Sequence, residues 1–504
     1  MNYRRTIAAP PTIPLPQGTG AGVSPPASLT DGAGGVGSAG AQRPKPRLRL
    51  TELGLIVAAG LVLLWAMIVL TMASPDVPRQ RALTWLAVTL VMMLVVSLLL
   101  SWRLPRADQI VLPVACLLSG LGLVMITRLN DTYSTKQVAG IGAGLVLLLI
   151  AALGFPDYRR LARYKYTLAA FGFALILGTK FFGVDPYGEG YKRWFGFHGF
   201  YYQPVELLKV LLVIFFAAYL DEKQEVLAAA YLRLGRLRLP PLQYVGPLFT
   251  TWVLALGLLL FQNDLGSALL FFGIFLAMVY IASPRVIYSL IGLAMIVVGA
   301  VVAYHFNAHV RERVITWVNP WPYASGKPGQ PSSYQLVQAL IAIASGGVPG
   351  TGLGQGDPRL IPVARTDFIF SAFGEELGLL GTTFILASYL VLTFRGLRIA
   401  ATARDTFDKL LAAGLTSALV IQALVIVGGN IRLLPIAGVT LPLMSYGPSS
   451  LLSNFIIVGM LLRVSANAAN APHTQPLSLS VGEESSVSPL ASGMEEGAER
   501  VKGR

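Results

Sequence analysis

The sequence predicts an all-α polytopic membrane protein, and its composition, apolar runs and charge placement each support this class. Of the 504 residues, 54% are hydrophobic and 13% are charged, and the mean hydropathy is +0.63. Soluble domains carry roughly twice that share of charged residues. The apolar residues gather in runs of about 20, the length of a helix that crosses a bilayer. The basic residues lie in alternate loops between these runs, as expected for a multi-pass protein.

The composition also excludes several other classes of protein. The net charge is +14, but Lys and Arg are scattered through short loops, so we expect no nucleic-acid surface. A single cysteine, Cys116, excludes disulfides, and the four histidines lack the spacing of metal ligands, so no metal site is expected. The sequence contains no P-loop, and the glycines at 352, 354 and 356 are interpreted as a tight turn rather than a dinucleotide motif.

About twelve apolar runs are long enough to be membrane spans, although some are short. Before them, residues 1–50 form an arm rich in Pro, Gly, Ala and Ser that ends in a basic cluster, and after them residues 466–504 form a polar tail. We predict that both are disordered. The runs are 53–73, 83–102, 109–128, 138–154, 166–182, 204–220, 244–261, 265–282, 286–305, 368–394, 409–429 and 448–463.

The distribution of Lys and Arg predicts the orientation of these spans. One set of loops is basic and is therefore assigned to the cytoplasm, together with both termini. The loops at 183–203, 262–264, 306–367 and 430–447 then face outward. The basic set comprises Arg103 and Arg106, Arg159 to Lys165, Lys223 to Arg238, Arg285, and Arg395 to Lys409.

The polar break at 262–266 divides the apolar residues between Pro240 and Ala282 into two helices. As one helix these residues would reach about 60 Å, twice the hydrocarbon thickness of a bilayer, so the chain must turn back here. The turn places Asp264 at the tip of a hairpin. Asp264 is either a functional carboxylate or simply the N-cap that accepts the backbone N–H of Ser267, and one side chain can do both.

A second group of candidates surrounds the start of the helix at 204. Glu206 and Lys209 lie three residues apart on one helical face. They form either an internal ion pair or a pair that orients groups in a polar cavity. Arg193 is suited to binding a diphosphate, and Trp194 to the membrane interface. Gln203 comes directly before this helix.

The segment 306–367 is too long and too rich in glycine to be only a connection. It carries Arg311 and Arg365, with a short interfacial helix predicted over 333–344. Glu375 and Glu376 follow inside the next span, where both carboxylates need partners. Near Ser445 a second non-helical stretch lies at membrane depth, which requires that it be buried or line a cavity.

Taken together, these residues predict a polar cavity that opens outward. A carboxylate such as Asp264 can act there as a general base for a hydroxyl group, and the arginines suit an anionic lipid headgroup. A sugar carried on a lipid diphosphate would explain the absence of nucleotide-binding motifs. A transporter of such a lipid would show the same features, so both functions stay open on this reasoning.

Several of these motifs, in this order, resemble the SEDS family (shape, elongation, division and sporulation), which includes RodA and FtsW. The resemblance covers about 109–464. It is carried by Arg193-Trp194, Gln203-Pro204-x-Glu206-x-x-Lys209, Gln262-x-Asp264-Leu265-Gly266, Gly346-Gly347 with Gly350-x-Gly352-x-Gly354, Thr366-Asp367-Phe368 with Glu375-Glu376, and Leu434-Pro435 with Ser445-Tyr446-Gly447.

The resemblance implies a peptidoglycan glycosyltransferase that polymerises lipid II at the outer face of the bacterial plasma membrane. It implies Asp264 as the general base, with lipid II and the undecaprenyl-linked glycan as substrate and product. It also implies a class B penicillin-binding protein as partner. No tightly bound cofactor is expected, although a divalent cation, Mg or Mn, is part of the family pattern. The candidate substrate-binding residues are Arg193, Trp194, Gln203, Glu206, Lys209, Gln262, Arg311, Arg365 and Ser445.

The chain departs from the family pattern in three places. Asn263 stands where proline is usual, and Pro448 replaces the second glycine of the Ser-Tyr-Gly-Gly-Ser motif. Two additional N-terminal spans (51–104) precede a core at 105–465, which favours an elongation protein over a division protein. A lipid II flippase and a scaffold without catalytic activity are the alternative functions.

Overall fold

The computed structural model describes residues 49–470 with short gaps, of which the longest are 240–245 and 326–331. The arm at 1–48 and the tail at 471–504 lie outside the described residues, so the disorder predicted for them stays a prediction. The described chain is built from fourteen helices, which confirms the predicted fold class. They are α1 Leu50–Ala73, α2 Arg79–Arg103, α3 Val111–Leu129, α4 Asp131–Leu149, α5 Arg159–Ala162, α6 Lys165–Phe182, α7 Pro204–Ala229, α8 Leu265–Ala282, α9 Val286–Phe306, α10 Ala308–Val318, α11 Tyr334–Gly346, α12 Ile369–Thr402, α13 Thr406–Asn430 and α14 Pro448–Asn470.

Short elements complete the described chain. A π-helical turn, Ile150–Gly154, extends α4, and two 3-10 turns lie at Trp321–Tyr323 and Pro358–Leu360. Two antiparallel hairpins were not expected from the sequence: β1 Phe195–Phe197 with β2 Phe200–Tyr202, and β3 Leu232–Leu234 with β4 Leu237–Leu239. The first hairpin lies in the loop that carries Arg193, and its aromatic residues suit a pleated surface.

Eight described helices are long and apolar enough to cross a membrane: α1, α2, α3, α4 with its π turn, α8, α12, α13 and α14. A ninth span results if Leu290–Phe306 is counted with α10, although the chain bends by 106° between them. Two further predicted spans coincide with α6 and α7. The run at 244–261 falls partly outside the described residues, so the total of twelve stays a prediction.

The helices α3, α13 and α14 form the centre of the bundle, since most of their residues are buried. Helices α1 and α2 bury one side only, and α1 packs against α3. Glycine makes this contact possible: a Cβ atom on Gly120 of α3 would lie 2.2 Å from Cδ1 of Leu63 on α1. The two N-terminal helices are therefore packed onto the rest of the bundle.

Helix α12 is kinked at Gly378, whose φ of +62° lies in the left-handed region that favours glycine. A glycine-rich segment, 347–352, satisfies the backbone groups that the kink exposes. The N–H of Thr351 donates to the Glu375 carbonyl and the N–H of Leu379 donates to the Gly347 carbonyl, both at 2.9 Å. Irregular backbone inside a bundle needs such partners because lipid offers none.

The carboxylates at the start of α12 have the partners that the sequence requires. Glu376 accepts from Arg128 Nε at 2.9 Å and from the backbone N–H of Gly354 at 3.0 Å. Glu375 accepts from the backbone N–H of Asp357 at 2.8 Å. Both side chains therefore bind the backbone of the residues that follow the glycine-rich segment.

Loops that the charge pattern assigns to one side of the membrane contact one another. Arg193 in the loop 183–203 donates from Nε to the carbonyl of Gln262 at 3.2 Å. At the other end of the bundle, Arg159 donates from Nε to Asp405 Oδ2 at 2.6 Å. The predicted grouping of these loops agrees with the contacts. Which end faces the cytoplasm stays a prediction.

Candidate active site

The turn at 262–264 places Asp264 as the N-cap of α8. Its Oδ1 accepts the backbone N–H of Ser267 at 3.1 Å, as the sequence predicts, and its Oδ2 accepts the Ser267 hydroxyl at 2.9 Å. Only 5% of Asp264 is exposed. A carboxylate at a helix N-terminus is stabilised by these donors and by the helix dipole. The cap geometry orients the side chain and does not exclude a chemical role.

Asp264 lines a cavity of about 350 Å³, which we call the Asp264 cavity. Its volume lies within the range of small-molecule sites. The walls come from the four loops that the sequence assigns to the outer side, and one of these, 306–367, contains α10 and α11. The lining residues are Arg193, Asn263, Asp264, His309, Glu312, Arg313, Thr316, Trp317, Ser332, Gln335, Leu336, Val363, Asp367, Ile436, Ala437 and Gly438.

One wall of the cavity is a single face of α10. His309, Arg313 and Trp317 follow one another at intervals of four residues, which places them on one side of a helix. Asn307 begins this helix by accepting the backbone N–H groups of His309 at 2.9 Å and Val310 at 3.3 Å. This wall was not predicted from the sequence, because 308–318 was not identified as a helix; the spacing of four residues between His309, Arg313 and Trp317 is the signal that indicates it.

Arg311, a predicted substrate-binding residue, does not line the Asp264 cavity. Two residues along an α-helix correspond to about 200° of rotation, so Arg311 points away from the side that Arg313 occupies. Its guanidinium donates to the carbonyls of Tyr304 at 3.4 Å and His305 at 2.9 Å. Arg313 instead donates to the Ile436 carbonyl at 2.9 Å, and so joins α10 to the non-helical stretch before Ser445.

The opposite wall is main chain, and it approaches α8 very closely. A Cβ atom on Gly266 would lie 2.0 Å from the carbonyl oxygen of Ala437, so only glycine allows this contact. Gly438, with φ +68°, follows directly. A Cβ atom there would lie 3.7 Å from the Arg313 guanidinium and 3.9 Å from the Asp367 carboxylate, so Gly438 lies next to both charged groups. Asp367 is a second lining residue that the sequence analysis did not select.

The charges around Asp264 have opposing effects on its carboxyl group. Burial raises its pKa above the ordinary aspartate value, whereas the Ser267 hydrogen bonds and the positive charges of Arg193 and Arg313 lower it. Burial is the largest effect, so the net direction is upward. A carboxylate of raised pKa is a stronger base, which suits proton removal from a hydroxyl group.

Of the predicted substrate-binding residues, Arg193 lines the Asp264 cavity and Gln262 lies directly beside it. Gln262 turns its side chain away, and its Nε2 donates to Thr179 Oγ1 at 2.9 Å. Trp194 extends the first hairpin, because its carbonyl accepts the backbone N–H of Val184 at 2.7 Å. Gln203 donates its backbone N–H to Ser449 Oγ at 2.8 Å.

Glu206 and Lys209 form a buried ion pair between helices and lie outside the lining of the Asp264 cavity. Lys209 Nζ donates to Glu206 Oε2 at 2.8 Å, to Gln422 Oε1 at 2.7 Å and to Asn454 Oδ1 at 3.2 Å. The four residues join α7, α13 and α14. Of the two interpretations open from the sequence, this geometry favours an internal pair.

Arg365 and Ser445 lie in the walls behind the cavity lining. The Arg365 guanidinium stacks over the Tyr133 ring at 4.4 Å, and Ser445 Oγ donates to the Thr366 carbonyl at 2.5 Å. Pro448 begins α14, where its missing N–H is not needed for the helix. The roles of these residues toward a substrate stay predictions.

The chain is similar to known proteins in family, in sequence and in fold. The family model FTSW_RODA_SPOVE, described as cell cycle protein, matches residues 108–470. The chain belongs to this family. The match begins after α1 and α2, so those two helices lie outside the part that FtsW/RodA/SpoVE proteins share.

The chain is 41% identical to the peptidoglycan glycosyltransferase RodA of Mycobacterium tuberculosis over 383 residues, which cover 74% of this chain and 81% of that protein. It is 33% identical to the probable peptidoglycan glycosyltransferase FtsW of Geobacter metallireducens over 390 residues, covering 73% and 97%. The similarity to RodA is the greater of the two, and the RodA-like assignment is confirmed.

The fold also matches a chain solved in a peptidoglycan synthase complex that coordinates polymerization and crosslinking. The TM-score is 0.59 and the sequence identity is 25%, and the match covers 72% of this chain and 99% of that one. The helical membrane fold and the enzyme class that the sequence predicted, peptidoglycan glycosyltransferase, are therefore confirmed.

Proposed function

We propose that this peptidoglycan glycosyltransferase polymerises lipid II at the outer face of the membrane, with Asp264 as the general base. The observation that carries the proposal is the position of Asp264, whose carboxylate lines a 350 Å³ cavity together with Arg193 and Arg313. A base and two cations at one cavity are the groups that glycosyl transfer from a diphosphate requires. The names of the relatives support the same substrate class.

The proposed step moves one proton and exchanges one bond. Asp264 takes the proton of the acceptor GlcNAc 4-hydroxyl, and the oxygen of that hydroxyl bonds to the anomeric carbon of the donor MurNAc. The bond from that carbon to the diphosphate oxygen breaks, and undecaprenyl diphosphate leaves with the electron pair. Arg193 and Arg313 are placed to balance the negative charge of the diphosphate.

The outer-face location rests on the distribution of basic residues. The loops around Asp264 are poorer in Lys and Arg than those at the other end of the bundle, and basic loops stay in the cytoplasm. Lipid II would then reach the Asp264 cavity from the outer leaflet. Single cysteines introduced at exposed positions of the loop 183–203 would test this location. A membrane-impermeant thiol reagent modifies these cysteines in intact cells only if the loop is outside.

The proposal includes a class B penicillin-binding protein as partner. The solved relative belongs to a synthase complex that couples polymerization with crosslinking. A transpeptidase bound to this chain would receive the new glycan strand at the membrane surface.

A divalent cation enters the proposal only as a ligand of the substrate. Within the described ranges, no three His, Cys, Asp or Glu side chains lie close enough together to hold a metal ion. Mg²⁺ is commonly held by one or two carboxylates together with substrate phosphates, and Asp367 is a carboxylate that lines the Asp264 cavity. When bound there, the cation would neutralise charge on the diphosphate.

The test is glycan synthesis by the purified full-length protein supplied with lipid II alone. Asp264→Asn and Asp264→Ala should each reduce polymer formation by roughly 10²- to 10⁴-fold, the usual effect of losing a general base. Asp76→Asn is the matched control, because Asp76 is an exposed carboxylate that does not line the Asp264 cavity. It should leave the rate unchanged. Polymerisation at the wild-type rate by Asp264→Ala would show that Asp264 is only a helix cap.

The alternative functions give different results in the same set of variants. A flippase moves lipid II across liposome membranes, and this activity survives Asp264→Ala. A scaffold makes no polymer under any condition, and its Asp264→Ala variant still complements a deletion strain. Neither result is compatible with the proposed polymerase.

A further inference from the structure

A second cavity, of about 520 Å³, lies between α1, the α2–α3 connection, α12 and α14. We call it the Arg398 cavity. The residues that matter below are Thr51, Arg106, Gln109, Arg395, Arg398 and Ser465. Thr51 belongs to α1, which precedes the part shared with the family. The N-terminal helix therefore completes this cavity.

The Arg398 cavity lies at the opposite end of the bundle from Asp264. Helix α12 begins beside the lining residue Asp367 and reaches the Arg398 cavity about 26 residues later, which corresponds to roughly 40 Å of helix. Helix α14 makes the same crossing from Pro448 to Ser465. The cavity is therefore separate from the proposed catalytic site and lies among the basic loops.

Two of its arginines are exposed and have charge to offer a ligand. Among the described residues, neither Arg106 nor Arg398 has a carboxylate within ion-pair distance. Arg106 makes only a long contact, 3.4 Å, to the amide oxygen of Asn470. Arg395 is different, because it donates from Nε to Asp108 Oδ2 at 2.9 Å. The net charge available at the cavity mouth is positive.

The floor of the cavity is fixed by Asp108. Its Oδ1 accepts the backbone N–H groups of Ile110 at 2.9 Å and Val111 at 3.1 Å, which caps α3. Its own backbone N–H donates to Ser465 Oγ at 2.8 Å. Arg395 is held in place by the same carboxylate. These contacts join α3, α12 and α14, so the arginines project from a rigid frame.

A residue of the cavity lining also carries an acceptor that lacks a donor among the described residues. Oε1 of Gln109 is buried and has no hydrogen-bond partner in the described chain. A buried acceptor is costly when it is left without a donor. A ligand that combines a negative phosphate for the arginines with a hydroxyl donor for Gln109 would satisfy both features.

The surface around the cavity carries large apolar side chains that are exposed. Leu50 is 70% exposed, Trp102 61% and Phe394 63%, and all three lie within a few residues of the cavity lining. Trp102 in addition packs against the Arg103 guanidinium at 4.9 Å, an arrangement typical of the membrane interface. A ligand with a charged head and an apolar tail fits this setting better than a soluble anion.

We propose that the Arg398 cavity binds the headgroup of an anionic phospholipid of the cytoplasmic leaflet. Arg106 and Arg398 contact the phosphate, and Gln109 accepts a hydrogen bond from a headgroup hydroxyl. Basic cavities between helices on the cytoplasmic side are suited to such headgroups. The lipid then bridges α12 to the α2–α3 connection, and this site is independent of the chemistry at Asp264.

The test is lipid retention by the full-length protein in native mass spectrometry. The probes are phosphatidylglycerol and phosphatidylcholine with identical acyl chains. The wild type should retain phosphatidylglycerol in preference to phosphatidylcholine. The double variant Arg106→Gln with Arg398→Gln should lose that preference by roughly 25-fold, since each arginine near an anionic lipid contributes about fivefold.

The matched control removes two exposed arginines from the same end of the bundle that do not line the cavity, Arg160→Gln with Arg163→Gln. It should keep the preference. An equal loss in both double variants would mean that diffuse surface charge attracts the lipid, and would overturn the proposal. Equal retention of both lipids by the wild type would overturn it as well.

Two further experiments distinguish a lipid headgroup from other sources of negative charge. Inorganic phosphate at millimolar concentration should not displace phosphatidylglycerol, and displacement would assign the site to a free anion. The acidic tail is neutralised by changing four glutamates to glutamine. A gain of fivefold or more in lipid retention would show that the tail occupies the Arg398 cavity in the wild type, and would overturn the proposal of a lipid. Those residues are Glu483, Glu484, Glu495 and Glu496.

Discussion

Asn307 and Asn263 are joined by a hydrogen bond of 3.1 Å from Nδ2 of the first to Oδ1 of the second. Asn307 is also the N-cap of α10, the helix that carries Arg313, and Asn263 directly precedes Asp264. This contact therefore joins the turn that carries Asp264, the proposed base, to the helix that carries Arg313. It involves two polar side chains that lie 44 residues apart.

The turn at Asn263 predicts a specific order of tolerance to substitution. The φ of Asn263 is +54°, which glycine and asparagine adopt readily and proline cannot, because its ring fixes φ near −65°. Asn263→Gly should keep the turn and lose only the bond to Asn307, at a cost of about 1 kcal/mol. Asn263→Pro should cost more than that. Thermal unfolding of the purified protein measures both.

Proline is the residue that the resemblance to the SEDS family implies at this position. If Asn263→Pro were as stable as the wild type, the left-handed conformation of Asn263 would be incorrect. If it is less stable, this chain departs from the family pattern in the backbone of the turn as well as in the residue.

Two arginines on α10 give a test of the Asp264 cavity with a built-in control. Arg313 lines the cavity and Arg311 lies on the other side of the helix. Arg313→Ala should lower the polymerisation rate at least tenfold, because it removes a charged donor from beside the base and from the Ile436 carbonyl. Arg311→Ala should change the rate less than twofold. A larger loss with Arg311→Ala would reverse the assignment of the two residues.

The acid side of the pH–rate profile reports the protonation of Asp264. A general base works only when it is ionised, so the rate is present above its pKa and is lost as the pH falls through that value. Because burial raises the pKa of Asp264, the loss should begin at a higher pH than for an exposed aspartate. Ser267→Ala removes the hydroxyl that donates to Oδ2 and favours the ionised form. It should move the acid limb to still higher pH.

Initial rates of glycan formation between pH 4 and 8 are the measurement, with a Thr351→Ala variant as control, because Thr351 lies outside the lining of the cavity. An acid limb that stays in place or moves to lower pH in Ser267→Ala would contradict the role of Asp264 as the base.

Part of this architecture can be predicted from the sequence, and the reason lies in the strength of the local signals. Apolar runs identify the spans because burial in lipid requires them. The cap at Asp264 and the pair of Glu206 with Lys209 follow from spacings of three residues within one helix, where geometry is fixed in advance. These local predictions agree with the structure.

The features that could not be predicted from the sequence are those that form where segments distant in the chain meet. The bend of 106° before α10 brings Arg313 to Asp264, and nothing local to either residue records it. The wall at 436–438 acts through its backbone, which no side-chain pattern reveals. Gly266 is the exception in principle, since a glycine two residues after a capping aspartate indicates a close approach of another segment without identifying that segment.

The buried pair of Glu206 and Lys209 makes the last prediction, which concerns stability. The side chain of Lys209 is 1% exposed and donates to three acceptors, whereas that of Glu206 is 11% exposed and has this one cation as its ion-pair partner among the described residues. Removing either charge alone leaves the other uncompensated, at a cost of about 3–5 kcal/mol. Removing both leaves no buried charge.

Each single variant, Glu206→Gln and Lys209→Met, should therefore be less stable than the double variant. Lys209→Met should be the worse of the two, because Gln422 and Asn454 lose a donor as well. Unfolding midpoints of the four proteins in one detergent give the coupling directly. Losses that simply add in the double variant would show that the two side chains do not act as a pair.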